Sequence, residues 1–414
     1  MDIQQLYRLF EEHPHVTTDS RQAAPDSIFF ALRGANFDGN RFAAAALEQG
    51  AAAAVVDDRQ TYESHPELRE RMFLCDNVLS ALQELAREHR RRLNIPIVAI
   101  VGSNGKTTTK ELTAAVLARK YRIHATVGNL NNHIGVPLTL LSMTRDTELG
   151  VVEMGASACG EIALLASIAA PDYGIITNIG LSHLEGFGGT EGIRRGKGEL
   201  YDWLAAHGGR AFIRLEDETL ASMAAERPSM AAEFYPTSLA DGIRSNLAGD
   251  YNRFNIAAAV AIGDWFGVAG DDIRAAIAEY TPSNNRSQRV VTERNTLIVD
   301  CYNANPSSME AAIRNFTAEP LGNRSRRVMI LGDMLELGEW SAQQHAKMAS
   351  LAAETEAEVL FCGTNFASAC APSQHVFANR MELENYLKDN TISDAIVLVK
   401  GSRGIGLEQI IPLL

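Results

Sequence analysis

A chain of 414 residues exceeds what one compact core accommodates, so two or three domains are expected. Hydrophobic residues at 46% and charged residues at 21% exclude extensive disorder, and a formal net charge of −13 argues against nucleic acid or an anionic membrane as partner. No run approaches the about eighteen uninterrupted apolar residues of a membrane span, the start MDIQQLYRLFEEHPHV lacks the features of a secretory signal, and the five scattered cysteines form no C-x-x-C pair. A cytoplasmic chain with reduced thiols, no membrane insertion and a monomer's use of small-molecule substrates is therefore expected.

Residues 1–93 read as a small α/β domain. SIFFALRG (27–34) and AAAAVVDD (51–58) have strand character, and FAAAALEQG (42–50) reads as a helix that stops on glycine. VTTDSR, with Asp19, Ser20 and Arg21, reads as a solvated polar turn. NVLSALQELAREHRRRLN is a helix whose arginine-rich end suits a helix C-terminus, and the first boundary follows it.

Residues 94–281 alternate strand and helix patterns as a doubly wound parallel sheet does. PIVAIV (96–101) is a short buried strand, and Gly102, Ser103, Asn104 and Gly105 make a tight turn with several backbone N–H groups to offer. Lys106 brings a flexible cation to a β- or γ-phosphate, Thr107 a hydroxyl to Mg²⁺, and a helix begins there with its N-terminus toward the same anion. Only two residues separate Gly102 from Gly105, where the common P-loop has four, and Ile100 stands at the usual first glycine. Asn129, Asn131 and Asn132 fit a turn or an organised set of ligand amides equally well. Glu153 ends an apolar strand at the edge where ligands lie, as a Mg²⁺ carboxylate or a helix cap. A glycine-rich loop carries His183, structural or a ligand. Lys197 stands between two glycines ahead of a probable helix and, taken singly, reads as a surface lysine.

Past a polar linker at 281–288, residues 282–414 repeat the alternation with NTLIVD, RRVMILGD, AEVLFCG and AIVLVKG, so a second, smaller parallel sheet is expected. Asp300, Tyr302, Asn303 and Asn305, then Asp333, Glu336 and Glu339, then Lys400 and Arg403 follow three of these strands. Their shared edge faces the phosphate loop across a cleft.

VGSNGKTTTK, TVGNLNNHIGVPL, VVEMGAS, TNIGLSHLEGFG with RRGKGEL, DCYNANPSSM, LGDMLELGE and VKGSRG, in this order, resemble the Mur ligases of peptidoglycan synthesis over about Thr17 to Leu407. The resemblance implies an α/β enzyme of three domains: an N-terminal UDP-binding domain, a central P-loop ATPase domain and a C-terminal Rossmann-like domain that takes the incoming dipeptide and part of ATP. It implies ATP and Mg²⁺ as cofactors and amide-bond formation through an acyl phosphate. The LGDMLELGE and YNANP forms point to UDP-N-acetylmuramoyl-tripeptide and D-alanyl-D-alanine as substrates. By the same resemblance Gly102, Asn104, Gly105, Lys106, Thr107 and Thr108 hold phosphates, and Thr107 and Glu153 hold the first metal. His183 and a carbamylated Lys197 serve a second metal and act with Lys106 in catalysis. Asn252, Arg286, Asp300 and Asn303 match nucleotide contacts; Ser20, Arg21, Asn129, Asn131 and Asn132 match UDP-sugar contacts; Asp333, Lys400 and Arg403 match the C-terminal substrate edge. Tyr251 departs from the family's usual histidine, and the Arg-Arg-Gly approach to Lys197 departs from its usual Ala-Arg-Ala. Folylpolyglutamate synthases share the short phosphate loop and carboxylate activation, but residues 1–92 and LGDMLELGE speak against that alternative.

Overall fold

The computed structural model describes residues 2–282 and 286–414, which form three α/β domains around three large sheets, with a two-stranded hairpin of Arg33–Gly34 and Phe37–Asp38 in the first domain. Asp2 opens the helix Ile3–Glu12 by accepting from the Gln5 amide while the Gln5 side chain returns to the Asp2 amide, which satisfies two otherwise orphaned donors. His15–Thr17, Ser27–Phe30, Ala53–Val56 and Met72–Leu74 then pair in that order as a parallel sheet. The two edge strands have three residues each, too few for a legible pattern, so only the inner pair stands out as apolar runs.

Asn77 caps the helix Val78–Leu93 by accepting from the Ser80 amide, and Asn94 closes it in the left-handed conformation. Leu82, Leu85 and Ala86 of this helix are buried in one apolar core with Ile28, Phe30 and Val55 of the N-terminal sheet and Ile97, Ala99 and Val136 of the central domain. Burying a leucine is worth about 1.5–3 kcal/mol, so the helix joins the first two domains through shared core rather than a loose linker.

The central sheet is all parallel, in the order Ala231–Tyr235, Arg210–Arg214, Tyr173–Ile176, Ile97–Val101, Leu149–Glu153, Ile123–Ala125. Every residue of Ile97–Val101 is buried, as its unbroken Val/Ile run requires. This strand comes first in the chain but lies between the third and fourth, so the winding reverses beside it. Reversal opens a crevice beyond its C-terminal end.

The C-terminal sheet is ordered Gln288–Val291, Asn295–Asp300, Ala395–Lys400, Arg326–Gly332, Glu358–Cys362, His375–Phe377, with only the first strand antiparallel. It has six strands, as many as the central sheet, and the expectation of a smaller sheet fails. The two added edge strands are half-exposed and carry no continuous apolar run. Of the linker at 281–288, residues 283–285 lie outside the described residues. The five cysteines are all free, and among the described residues no helix is long and apolar enough to cross a membrane.

Candidate active site

Gly102 follows the strand Ile97–Val101 with φ at 148°, and a Cβ there would stand 1.9 Å from Thr177 Oγ1, so only glycine fits. Two polar residues from the end of the neighbouring strand set the next peptide. Thr177 Oγ1 and Asn178 Nδ2 both donate to the Asn104 carbonyl, at 2.6 and 3.0 Å, and Asn178 Oδ1 accepts from the Asn104 amide at 3.1 Å. Ser103 Oγ donates to the Gly180 carbonyl at 2.7 Å. Gly105 then begins the helix Lys106–Leu117 without a side-chain cap, which leaves the first-turn amides for an anion. Lys106 Nζ folds back onto the Gly102 and Ser103 carbonyls at 2.8 and 3.3 Å. Burial pushes its pKa down to about 8, opposed by Glu153 and aided by Arg286.

Thr107 Oγ1 and Asn131 Nδ2 donate to Glu153 Oε1 at 3.2 and 2.7 Å. Glu153 is 1% exposed, and its Oε2 is buried without a hydrogen-bond partner. A bare carboxylate oxygen away from water is costly, and a cation removes that cost. The Thr107 hydroxyl and Glu153 carboxylate thus fit the hard-oxygen preference of Mg²⁺. Among the described residues no group of three or more His, Cys, Asp and Glu gathers for a metal, so two protein oxygens leave room for phosphate oxygens and water, as Mg²⁺ prefers.

Lys197 corrects its surface reading. It lies inside the helix Thr190–His207, 1% exposed, with Nζ 5.1 Å from the Phe187 ring centre. The two glycines beside it are helical, and the helix lies hard against the short helix Leu184–Phe187. A Cβ at Gly192 would stand 1.8 Å from the Phe187 carbonyl oxygen, and one at Gly196 would stand 2.5 Å from its ring. Burial, then the nearby Lys106 charge, push the Lys197 pKa down to about 7. No hydrogen bond or ion pair to a described residue holds the amine. With a pKa of about 7 the amine is about half neutral at pH 7, where a lysine in water is almost fully charged. His183, in the left-handed conformation, presents Nδ1 to the Glu336 carboxylate of the C-terminal domain.

These groups converge on a cavity of about 820 Å³ between the central and C-terminal domains. Its wall includes Asn104, Gly105, Lys106, Thr108, Asn129, Asn131, Asn132, Glu153 and His183 from one side, and Arg286, Asp300, Asn303 and Lys400 from the other. Gly102, Thr107 and Lys197 are buried beside it. Asn252, also on the wall, donates to the Ala248 carbonyl at 2.6 Å, and the departing Tyr251 shares a 2.6 Å hydroxyl contact with Ser287. Asp300 accepts from the Ser287 amide at 3.2 Å and from Lys400 Nζ at 2.5 Å, while the Arg286 guanidinium lies 4.0 Å from the Tyr302 ring centre.

Three groups of expected substrate contacts lie elsewhere. Ser20 and Arg21 form a short turn in the N-terminal domain, where the exposed Arg21 pairs with Asp19 at 2.8 Å. Asp333 is 2% exposed and accepts from the Asn365 and Phe366 amides at 2.9 Å each; its carboxylate points inward to the first turn of the helix Thr364–Ala369, off the cavity wall. Arg403 is exposed, off the cavity wall, with its guanidinium 5.6 Å from the Tyr302 ring centre. Conversely, Thr177 and Asn178 shape the loop through Asn104, and Asn255 packs against Gly105, where a Cβ would stand 2.4 Å from its Oδ1, although none of the three belongs to the expected site. The signal was present: TNIG and NRFN put polar side chains directly after a strand and at the start of a helix.

A phosphate cradle, a buried carboxylate with one bare oxygen and a buried amine around one interdomain cavity define a nucleotide-dependent enzyme of the three-domain α/β class. Residues 13–90 match the Mur ligase family catalytic domain, 100–243 the Mur ligase middle domain, and 285–403 the Mur ligase glutamate ligase domain. The chain is 34% identical to the UDP-N-acetylmuramoyl-tripeptide–D-alanyl-D-alanine ligase of Bacillus subtilis, over 96% of this chain and 92% of that protein. The crystal structure of MurF from Acinetobacter baumannii superposes with a TM-score of 0.85 at 27% identity, covering 99% of this chain and 97% of that one. The ADP complex of MurF ligase from Thermotoga maritima superposes at 0.82 with 24% identity, covering 96% of each, a likeness of fold. The chain belongs to the Mur ligase family.

Proposed function

We propose that this protein is an ATP-dependent, ADP-forming ligase that joins D-alanyl-D-alanine to UDP-N-acetylmuramoyl-tripeptide during peptidoglycan precursor synthesis in the cytoplasm. The observation that carries the reading is the convergence of Lys106, Glu153 and His183 on one cavity, with Lys197 buried beside them. The Bacillus subtilis relative, named for this reaction, supports the choice of substrates. In this reading residues 1–93 bind the UDP-sugar, 94–281 bind ATP and Mg²⁺, and 282–414 bind the dipeptide and part of ATP.

The chemical task is to join a carboxylate to an amine, neither of which reacts unaided in water. The tripeptide carboxylate attacks the γ-phosphorus of ATP, giving an acyl phosphate and ADP; the dipeptide amine then attacks the acyl carbon, and phosphate leaves. Lys106 swings from its own loop carbonyls to the transferring phosphoryl group, and the free amides after Gly105 hold its oxygens. Thr107 and Glu153 would hold Mg²⁺, which would add neutralisation of the triphosphate charge. His183 and a carbamylated Lys197 would hold a second cation, since a carbamate offers oxygens where an ammonium repels. Asp300, fixed by Lys400 and the Ser287 amide, keeps its place at the C-terminal edge to orient the nucleotide. Contact of the C-terminal domain with the phosphate loop excludes water from the acyl phosphate.

A phosphate-release assay with ATP, UDP-N-acetylmuramoyl-tripeptide and D-alanyl-D-alanine tests the reading. Turnover dependent on all three is expected. Absence of turnover, with glutamate and a folate active instead, would favour a folylpolyglutamate synthase.

A further inference from the structure

The phosphate loop is not completed by the central domain alone. Every backbone polar group of Asn104 that sets the loop is taken by Thr177 and Asn178, but its side chain reaches the other way, and Asn104 Oδ1 accepts from Asn305 Nδ2 of the C-terminal domain at 2.7 Å. Asn305 serves two ends at once. Its Oδ1 accepts from the Ser308 amide at 2.9 Å and caps the helix Pro306–Ala318, so its amide plane is fixed before it meets Asn104. Two residues on, Ser307 Oγ accepts from the Leu181 amide at 2.8 Å, a second bond across the same seam. Gly180 lies between them. A Cβ on it would stand 3.0 Å from Ser307 Oγ and 3.2 Å from Asn104 Nδ2, so a side chain there crowds the seam.

We propose that Asn305 is a positioning residue: through Asn104 it locks the phosphate loop into its working shape only when the C-terminal domain is seated. The assignment rests on the nucleotide reading of the loop but adds a residue that touches neither reacting atoms nor metal. A capped side chain loses little further freedom on making the bond. One hydrogen bond between domains is therefore enough to favour the seated arrangement several-fold.

The test uses the full chain with Asn305→Ser, Asn104→Ala, the double variant and Gly180→Ala. Serine still caps the helix but is too short to reach Asn104, so the thermal midpoint of Asn305→Ser should match wild type. Its kcat should fall about five- to tenfold, with KM for the UDP-tripeptide unchanged. Asn104→Ala should fall equally, the double variant no further, and Gly180→Ala should fall at least as far by wedging the seam. Calorimetric titration with a non-hydrolysable ATP analogue and Mg²⁺ should show about fivefold weaker binding for Asn305→Ser. Wild-type kcat and affinity in Asn305→Ser, or additive losses in the double variant, would overturn the proposal. If wild type binds the analogue but turns over none of the three substrates, the ligase reading falls, and the titration alone decides on Asn305.

Discussion

The two six-stranded sheets present charged residues at the same kind of edge, yet they leave them in opposite states. At the central edge Glu153 keeps one oxygen buried and bare, and the helix Thr190–His207 buries the Lys197 amine with no hydrogen bond or ion pair to a described residue. At the C-terminal edge Lys400 is paired with Asp300, and both oxygens of Asp333 are occupied by amides. The central edge carries an electrostatic cost that a phosphate and its cations remove, whereas the C-terminal edge is satisfied by the protein itself. The unmet charge therefore belongs to the first, and the second meets ligands with groups the protein has already fixed in place.

Substitutions at the bare edge should produce the largest losses. Lys106→Met and Lys197→Ala are each expected to lower kcat about a hundred- to a thousandfold in the phosphate-release assay. A short-chain carboxylate or bicarbonate should partly restore Lys197→Ala, and full activity without it would remove the carbamate role. Glu153→Gln should cost about a hundredfold in kcat. Scanning calorimetry of this variant without ligand should show a midpoint that holds or rises, because a buried charge is gone, while stabilisation by ADP and Mg²⁺ shrinks. The comparison fails if Glu153→Gln melts well below wild type.

At the satisfied edge the pattern should invert. Asp333→Asn is expected to lose about 1–3 kcal/mol in urea unfolding, since one cap acceptor becomes a donor, with kcat of the folded enzyme within about twofold of wild type. A specific rise in KM for D-alanyl-D-alanine would return Asp333 to substrate binding. A last effect concerns pH. The Lys197 pKa falls from 10.5 to about 7 on folding, so between these values the unfolded chain holds a proton the folded chain has lost. Stability without ligand should therefore rise with pH from about 7 toward 10.5, and the slope should flatten in Lys197→Met.

Local features of the chain were legible because short-range chemistry dictates them. Ile97–Val101, the glycine turn and the helix behind it read directly from a Val/Ile run and two glycines, and Glu153 read from its place at a strand end. The edge strands Gln288–Val291 and His375–Phe377 did not, since pairing with a neighbour rather than apolar periodicity makes them strands. Lys197 looked like a surface residue because its glycines signal a break in sequence and close packing in space. Asp333 and Lys400 both end apolar strands in nearly the same way. Only tertiary contact tells that one carboxylate turns inward to a helix and one ammonium turns to a cavity.

The glycine-notched helix that delivers Lys197 also bears on inhibitor escape. At Gly192 and Gly196 even a methyl group collides with Phe187, the ring that lies over the amine, so these two positions have no permissive replacements. A compound that drew its affinity from this face would meet a target with few routes to resistance, because the changes that dislodge it would also unseat the lysine.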